Sequence, residues 1–160
     1  MRVGIIGAGA MGQNHIRTYS QIPGVEIVGI ADVDRARAEV LAKQYGTRGF
    51  ADYNELLKQG VDAVSVVVPT TLHRRVALDV IAAGAHLLVE KPIADTVENA
   101  EAIDFAAARE KLVLMVGHIE RFNPAVTNMK QIIDAGKLGK IVSISTSRVG
   151  RIIRGSGTSA

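Results

Sequence analysis

Three glycines near the amino terminus, Gly7, Gly9 and Gly12, form the pattern G-x-G-x-x-G. The pattern follows an apolar run and opens a helical pattern. In this context Gly7 permits a tight turn, Gly9 lets a diphosphate approach the backbone, and Gly12 lets the helix pack closely on the strand. Ala10 and Met11 lie in the first helical turn, where free N–H groups and the helix dipole favour a phosphate. A dinucleotide-binding turn is therefore favoured over a purely structural one.

A carboxylate, Asp32, ends the second apolar run, about 20 residues after the last of these glycines. A carboxylate at this position accepts hydrogen bonds from both ribose hydroxyls of a dinucleotide and repels a 2′-phosphate. NAD is therefore the predicted cofactor. Arg35 and Arg37 follow closely, and because a nearby arginine can receive a 2′-phosphate, NADP stays an alternative.

The segment after the most apolar run, which ends at Val68, is expected to pass near the ribose and nicotinamide of the cofactor. Its predicted cofactor contacts are Pro69, Thr70, Leu72 and His73. The hydroxyl of Thr70 or Thr71 can also cap the following helix, and the two roles are compatible. For His73 two readings stay open: contact with substrate or cofactor, or exposure to solvent in the first helical turn.

The tripeptide Glu90-Lys91-Pro92 ends another predicted strand. Because neighbouring strand residues face opposite ways, Lys91 is expected to point into the ligand crevice and Glu90 to anchor the surrounding backbone near it. An ammonium group beside a sugar hydroxyl favours the developing alkoxide, and burial lowers a lysine pKa toward values useful for proton transfer. Lys91 is the candidate catalytic residue, and Glu90 and Lys91 are both predicted to line the cofactor site.

These residues require a scaffold of alternating strands and helices, and the hydrophobic periodicity predicts one. Predicted strands are Arg2–Ile6, Glu26–Ile30, Arg48–Phe50, Ala63–Val68, His86–Glu90 and Leu112–Val116. Predicted helices are Met11–Ser20, Arg35–Tyr45, Tyr53–Lys58, Leu72–Ala83 and Val97–Arg109, the last capped by Asp95 or Thr96. The fold class is α/β with a doubly wound parallel sheet, whose ligands lie beyond the carboxyl ends of the strands.

The pattern changes after Pro124. A helix is predicted over Ala125–Ala135 and a strand over Lys140–Ser147, followed by a Gly- and Ser-rich end. We expect a dinucleotide-binding domain over 1–122, the start of a largely missing second α/β domain over 123–147, and a flexible basic tail over 148–160. Because an isolated strand leaves an unpaired edge, a homo-oligomer is expected.

The composition limits the function classes. The chain has 160 residues, 48% hydrophobic and 22% charged, which is typical of one globular domain. It contains no cysteine, which excludes disulfides and cysteine-ligated metals, and a cytoplasmic location is expected. No apolar run approaches the roughly 20 residues that span a membrane, so no membrane partner is expected. The four histidines show no paired spacing, so no metal is predicted; His15 is either a cofactor neighbour or a surface residue.

A nucleic-acid partner is not expected either. The chain has 19 basic and 16 acidic residues, but three of the arginines, Arg148, Arg151 and Arg154, lie in the final segment. The basic character therefore belongs to the tail and not to a folded patch. Aromatic residues are 4% of the chain, too few to form a base-stacking platform.

Taken together, the motifs resemble the Gfo/Idh/MocA oxidoreductase family. The matching segments are 7–12, Asp32, 61–73, 90–92 and 117–124. The resemblance implies a Rossmann domain and hydride transfer between a sugar-like CH–OH and nicotinamide, with Lys91 positioning and deprotonating the hydroxyl. It also adds Arg121 to the cofactor-binding residues. The stretch His118 to Pro124 most resembles the branch that oxidises the 3-hydroxyl of UDP-N-acetylglucosamine.

The chain departs from this family in length. Family members are considerably longer, and the resemblance implies a second domain with a substrate pocket and a further Asp/His motif. We therefore expect the cofactor-binding half of an NAD-dependent sugar or nucleotide-sugar dehydrogenase, inactive alone. The alternative is a non-catalytic dinucleotide-binding or assembly module.

Overall fold

The computed structural model describes residues 1–147. The chain divides into two compact units, one from Met1 to Gly117 and a second that begins at His118. The predicted domain limits at 122 and 147 stay predictions, and the predicted basic tail, 148–160, lies outside the described residues.

The first unit contains a six-stranded parallel sheet. Its strands are β1 (Arg2–Ile6), β2 (Glu26–Ala31), β3 (Arg48–Phe50), β4 (Ala63–Val66), β5 (His86–Val89) and β6 (Leu114–Val116). They lie in the order β3-β2-β1-β4-β5-β6, and every pair is parallel. The order reverses between β1 and β4, and ligands bind at such a point in doubly wound sheets. The predicted fold class is confirmed.

Five helices connect these strands. They are α1 (Ala10–Tyr19), α2 (Arg35–Gln44), α3 (Tyr53–Leu57), α4 (His73–Ala82) and α5 (Val97–Arg109). A 3₁₀ turn, Thr70–Leu72, precedes α4. The predicted limits of β1, β3 and α5 match the structure. The strand predicted over Ala63–Val68 ends at Val66, and the one predicted from Leu112 begins at Leu114, because strands extend only as far as their neighbours pair with them.

Helices on both faces of the sheet bury two apolar clusters. In β1, Ile5 belongs to the cluster that packs against α1 and α2, and Ile6 belongs to the opposite, larger cluster. Because side chains alternate along a strand, β1 contributes to both cores. In β4, Val64 and Val66 belong to the larger cluster, which leaves Ser65 to face the α1 side. This alternation places polar groups of β4 and of the segment after β5 on the side of α1.

The second unit contains the 3₁₀ turn Ile119–Phe122 and α6 (Pro124–Asp134), whose first turn is capped by the side chain of Asn123. The strand predicted over 140–147 is wrong: these residues form no regular secondary structure, and Val142 is 90% exposed. An apolar run becomes a strand only by pairing, and within residues 1–147 no strand pairs with it. Self-association was predicted from the unpaired edge of that strand, so the oligomeric state stays a prediction.

Candidate functional site

The amino terminus of α1 differs from those of three other helices in the first unit. The helices α2, α3 and α5 begin with side-chain caps from Asp34, Asp52 and Thr96. In contrast, the N-cap residue of α1 is Gly9, which has no side chain to cap the helix. Because the first N–H groups of a helix have no partner inside the helix, those of α1 remain free to bind another acceptor. This end of α1 lies directly after β1, at the reversal of strand order.

The three glycines of the turn have different surroundings. Gly7 adopts φ +105°, and a Cβ there would collide with the carbonyl oxygen of Val67. A Cβ on Gly12 would collide with the carbonyl oxygen of Gly7, so the helix packs closely on the turn. At Gly9, in contrast, no atom lies within 4 Å of the position that a Cβ would take. The backbone at Gly9 therefore borders open space beside the free N–H groups of α1, which fits an approaching diphosphate.

The carboxylate of Asp32 is fixed beside this turn. Its Oδ2 accepts a hydrogen bond from the Ala8 N–H at 2.6 Å, and its Oδ1 accepts one from the Asp34 N–H at 2.9 Å. The Arg37 guanidinium lies 3.8 Å from the same Oδ2 and 3.2 Å from the Asp34 carboxylate. Because each carboxylate oxygen has two acceptor positions, Asp32 can still accept hydrogen bonds from ribose hydroxyls. The structure thus places the glycine turn, Asp32 and Arg37 together.

In the segment after β4, two predicted alternatives are wrong: the helix cap by Thr70 or Thr71, and the solvent-exposed position of His73. The residue at the N-cap of α4 is Leu72, and the hydroxyls of Thr70 and Thr71 do not cap this helix, because both residues lie in the preceding 3₁₀ turn. The solvent-facing alternative for His73 is wrong as well, since this residue is 1% exposed. The other predicted cofactor contacts of the segment, Pro69, Thr70 and Leu72, are more exposed than His73.

The ring of His73 joins two loops at this edge of the sheet. Its Nε2 lies 2.9 Å from the carbonyl oxygen of Val68, and its Nδ1 lies 2.9 Å from that of Pro92. These carbonyls belong to the segments that follow β4 and β5. The observed contacts therefore give His73 a role in holding the loop of Lys91, while a direct contact with cofactor stays a prediction.

Glu90 and Lys91 differ in exposure, as strand alternation predicts. Glu90 is 8% exposed, whereas Lys91 is exposed at the carboxyl end of β5. The Lys91 backbone N–H donates a hydrogen bond to Glu90 Oε2 at 2.9 Å. A Cβ on Gly117 would lie 3.2 Å from the Glu90 carboxyl carbon, so a glycine there leaves room for the carboxylate.

Three further polar residues lie in this region: His15, for which a cofactor neighbour was one of two alternatives, and Ser65 and Tyr19, which were not predicted as site residues. His15 Nδ1 lies 3.1 Å from Ser65 Oγ, and His15 Nε2 lies 3.2 Å from Glu90 Oε1. The Tyr19 hydroxyl lies 2.8 Å from Ser65 Oγ. The surface alternative for His15 is wrong, because its side chain is 12% exposed. One sequence signal was available: a serine inside a strand covered on both faces needs a hydrogen-bond partner.

The Ser65, His15 and Glu90 contacts have the connectivity of a hydrolase triad. Ser65, however, is 0% exposed, and its hydroxyl is already in contact with Tyr19 and His15. A nucleophile must reach a substrate carbonyl. This serine is therefore a structural group and not a nucleophile.

Arg121 lies in the second unit, where it is exposed in the turn Ile119–Phe122 and its N–H donates to the carbonyl oxygen of His118 at 3.1 Å. Its cofactor role stays a prediction. Within residues 1–147, no group of three His, Cys, Asp or Glu side chains has the geometry to hold a metal ion. In the same described part, none of the helices combines the length and the apolar character needed to cross a bilayer.

Asp95 lies in the loop between Lys91 and α5. The hydrogen bond from the Asn99 side-chain amide lowers the pKa of the Asp95 carboxyl below its ordinary value. Asp95 directly precedes Thr96, whose hydroxyl accepts from the Asn99 N–H at 3.2 Å and caps α5. The cap of α5 is thus Thr96, one of the two predicted candidates. These contacts fix the end of the loop that begins at Lys91.

Comparison with known proteins shows which family this chain belongs to. Residues 1–118 match the family described as GFO_IDH_MocA, an oxidoreductase family with an NAD-binding Rossmann fold. The chain belongs to the Gfo/Idh/MocA oxidoreductase family. The resemblance predicted from its motifs is confirmed, and the family description confirms an NAD-binding Rossmann domain.

Three relatives illustrate the range of the family. The chain is 39% identical over 131 residues to UDP-N-acetylglucosamine 3-dehydrogenase of Acidithiobacillus ferrooxidans, covering 82% of this chain and 41% of that protein. It is 39% identical over 140 residues to 4-carboxy-2-hydroxymuconate-6-semialdehyde dehydrogenase of Sphingobium, covering 86% and 44%. Scyllo-inositol dehydrogenase of Lactobacillus casei, solved with bound NAD(H) and scyllo-inositol, superposes with a TM-score of 0.82 at 27% identity, covering 87% and 42%. The chain therefore spans less than half the length of these relatives.

Proposed function

We propose that this chain supplies the cofactor-binding domain of an NAD-dependent dehydrogenase that transfers a hydride between a hydroxyl-bearing carbon and the nicotinamide. The observation that carries the proposal is the open space at Gly9, next to the uncapped end of α1 and the fixed carboxylate of Asp32. Lys91 follows the carboxyl end of β5 in the same parallel sheet. Binding groups and a proton-transfer group thus follow strands at one edge of the sheet.

In this proposal the chain binds NAD through two features. The N–H groups of the first turn of α1, from Ala10 to Gly12, hold the diphosphate, and the helix dipole favours its charge. Asp32 accepts hydrogen bonds from the adenosine ribose and disfavours a 2′-phosphate. The segment from Pro69 to Leu72 and the backbone near Glu90 border the nicotinamide end. Bound NAD supplies the hydride acceptor.

Lys91 is proposed as the catalytic residue. Its side chain is exposed beyond β5, so an amine there can contact a substrate hydroxyl. As an ammonium it stabilises a developing alkoxide, and as a neutral amine it accepts the hydroxyl proton. The carboxylate of Glu90 accepts from the Lys91 backbone N–H, so it fixes the backbone from which the exposed lysine side chain extends.

We infer a sugar or nucleotide sugar as the substrate, with UDP-N-acetylglucosamine as the first candidate. Support comes from the 39% identity over 131 residues to a UDP-N-acetylglucosamine 3-dehydrogenase. The resemblance of the segment His118 to Pro124 to that branch, predicted from the sequence, points the same way. Inositols are the second candidate, since inositol dehydrogenases also match this chain. An aldehyde substrate should be tested beside the sugars and inositols, because the chain is also 39% identical to the semialdehyde dehydrogenase of Sphingobium.

Calorimetric titration with NAD and NADP tests the binding half of the proposal. The wild-type chain is expected to bind NAD more tightly than NADP. In Asp32→Ala this preference is expected to fall by about tenfold, because the loss of one ribose hydrogen bond to a charged acceptor amounts to about 1.4 kcal/mol. No binding of either cofactor at millimolar concentration would refute the assignment.

Turnover tests the catalytic half and is measured on the complete product of the gene that contains this chain. NADH formation is followed with UDP-N-acetylglucosamine, myo-inositol, scyllo-inositol and a hydrated aldehyde. Lys91→Ala is expected to abolish turnover with little effect on NAD affinity, and Lys91→Arg serves as the charge-matched control. NAD binding without turnover on any of these substrates would favour the non-catalytic module instead.

A cytoplasmic location and a homo-oligomeric state complete the proposal, as expected from the sequence. Light scattering on the complete gene product tests the oligomeric state. A monomer at assay concentration would contradict it.

A further inference from the structure

A continuous series of hydrogen bonds connects the first helix to the catalytic lysine. An ionised Glu90 side chain can only accept hydrogen bonds, so the proton between it and His15 lies on His15 Nε2. In the neutral tautomer of His15 that donates from Nε2, Nδ1 accepts from the Ser65 hydroxyl, and Ser65 Oγ accepts from the Tyr19 hydroxyl. At the other end, Glu90 Oε2 accepts from the Lys91 N–H. Each group in this series has a donor or acceptor that matches it.

The series crosses three elements of the first unit. His15 and Tyr19 lie on α1, Ser65 lies on β4, and Glu90 directly follows β5. Ser65 and Glu90 face the α1 side of the sheet because their strand neighbours, Val64, Val66 and Val89, all belong to the opposite cluster. The helix that begins at Gly9 is thereby connected to the loop that begins at Lys91.

The energetic importance of the series follows from its burial. The side chains of His15 and Glu90 are 12% and 10% exposed. If the His15 donor is removed, the largely buried Glu90 carboxylate loses a hydrogen bond that water cannot fully replace. The Glu90 side chain is then expected to move to a position where it is better solvated. A displaced Glu90 carboxylate would release the Lys91 N–H and change the direction in which the lysine leaves the strand.

We propose that His15 is a positioning residue. It holds the Glu90 carboxylate through Nε2, and Glu90 in turn sets the backbone of Lys91 relative to the diphosphate-binding end of α1. This inference rests on the proposed function of Lys91 and of the glycine turn.

Two variants at position 15 and one at position 90 test this. His15→Phe keeps a ring but makes no hydrogen bond, whereas His15→Gln can still donate to Glu90 from its amide. Glu90→Gln replaces the anionic acceptor. His86→Phe is the control, because His86 is exposed at the other end of β5, where its Nδ1 accepts from the Val113 N–H and not from the loop of Lys91. The readouts are the ¹H–¹⁵N signal of the Lys91 amide, NADH affinity by fluorescence titration, and the midpoint of thermal unfolding.

In His15→Phe and Glu90→Gln, the Lys91 amide signal is expected to move in the same direction. NADH affinity is expected to fall, because the Glu90 side chain no longer connects α1 to the loop that begins at Lys91. His15→Gln is expected to recover most of both readouts, and His86→Phe to change neither. If His15 contributed only packing, His15→Gln and His15→Phe would give the same Lys91 signal.

A Lys91 signal that stays at its wild-type position in folded His15→Phe would overturn the proposal. If His15→Phe does not fold, equal Lys91 signals in Glu90→Gln and wild type would overturn it instead. A wild-type chain that fails to bind NADH would refute the proposed function, whereas the Lys91 signal would still show whether His15 sets the lysine backbone.

Discussion

Gly9→Ala is expected to separate cofactor binding from folding. Gly9 adopts φ −68° and ψ −170°, which any residue can adopt, and a Cβ there meets no atom within 4 Å. Replacing glycine in a compatible conformation stabilises a fold by about 0.4–1 kcal/mol, and the poor N-cap preference of alanine opposes this by a similar amount. The free energy of unfolding should therefore change by less than about 1 kcal/mol.

Gly12→Ala is the matched comparison. Alanine favours a helix by about 1 kcal/mol over glycine, but the added Cβ would collide with the carbonyl oxygen of Gly7 and lie 2.8 Å from its carbonyl carbon. A backbone carbonyl cannot rotate away as a side chain can. Overpacking of this kind should leave the variant less stable than wild type by about 1–3 kcal/mol.

Two assays distinguish the variants. In thermal unfolding, Gly9→Ala should shift Tm by no more than about 4 °C, while Gly12→Ala should lower it further. In NADH titration, Gly9→Ala should weaken binding at least about tenfold, because the methyl group occupies the space next to the N–H groups of α1. Wild-type NADH affinity in Gly9→Ala would refute the placement of the diphosphate, and strong destabilisation would refute the open space.

Three further outcomes are expected. Asp32→Asn keeps an oxygen that can accept from the Ala8 N–H, so it should be more stable in urea unfolding than Asp32→Ala, because an unpaired buried N–H costs about 1–3 kcal/mol. Equal stability of the two variants would contradict the hydrogen bond from Ala8 to Asp32. Burial, and then the hydrogen bond to Asp79, raises the pKa of Tyr53 above 10.0, so its stabilising contribution is present below that pH and is lost as pH rises through the raised value. Tyr53→Phe should lower the free energy of unfolding by about 1 kcal/mol at neutral pH, and the free energy of the variant should fall less steeply than that of wild type as the pH rises above 10.0. An unchanged pH profile in urea unfolding would contradict this. Ile103→Ala, at a residue 0% exposed in the larger core, should cost about 2–5 kcal/mol without weakening NADH binding in the folded fraction.

The parts of the site that were predictable from the sequence are those formed by neighbours along the chain. The glycine turn depends on residues within a few positions of one another, and Asp32 directly follows the neighbouring strand β2. Strand alternation was enough to predict that Glu90 and Lys91, which follow β5, differ in exposure. The cap of α5 by Thr96 follows from local hydrogen bonding as well.

Other features depended on residues that are distant in the sequence. His73 is buried because carbonyl groups of two loops surround its ring, and periodicity carries no information on such contacts. The apolar segment over 140–147 has strand composition, yet a strand also needs a neighbour to pair with, which composition does not reveal.

The amino-acid sequence by itself determined the order of strands and helices, the dinucleotide-binding turn and the lysine that follows β5, because periodicity, glycine spacing and strand alternation are local properties. Only the tertiary structure decided that His15 meets Glu90, 75 positions further along the chain, with Ser65 at its other ring nitrogen. The physical reason is that parallel strands bring residues together through their order in the sheet, and that order is set by contacts between distant parts of the chain, which local patterns do not reveal.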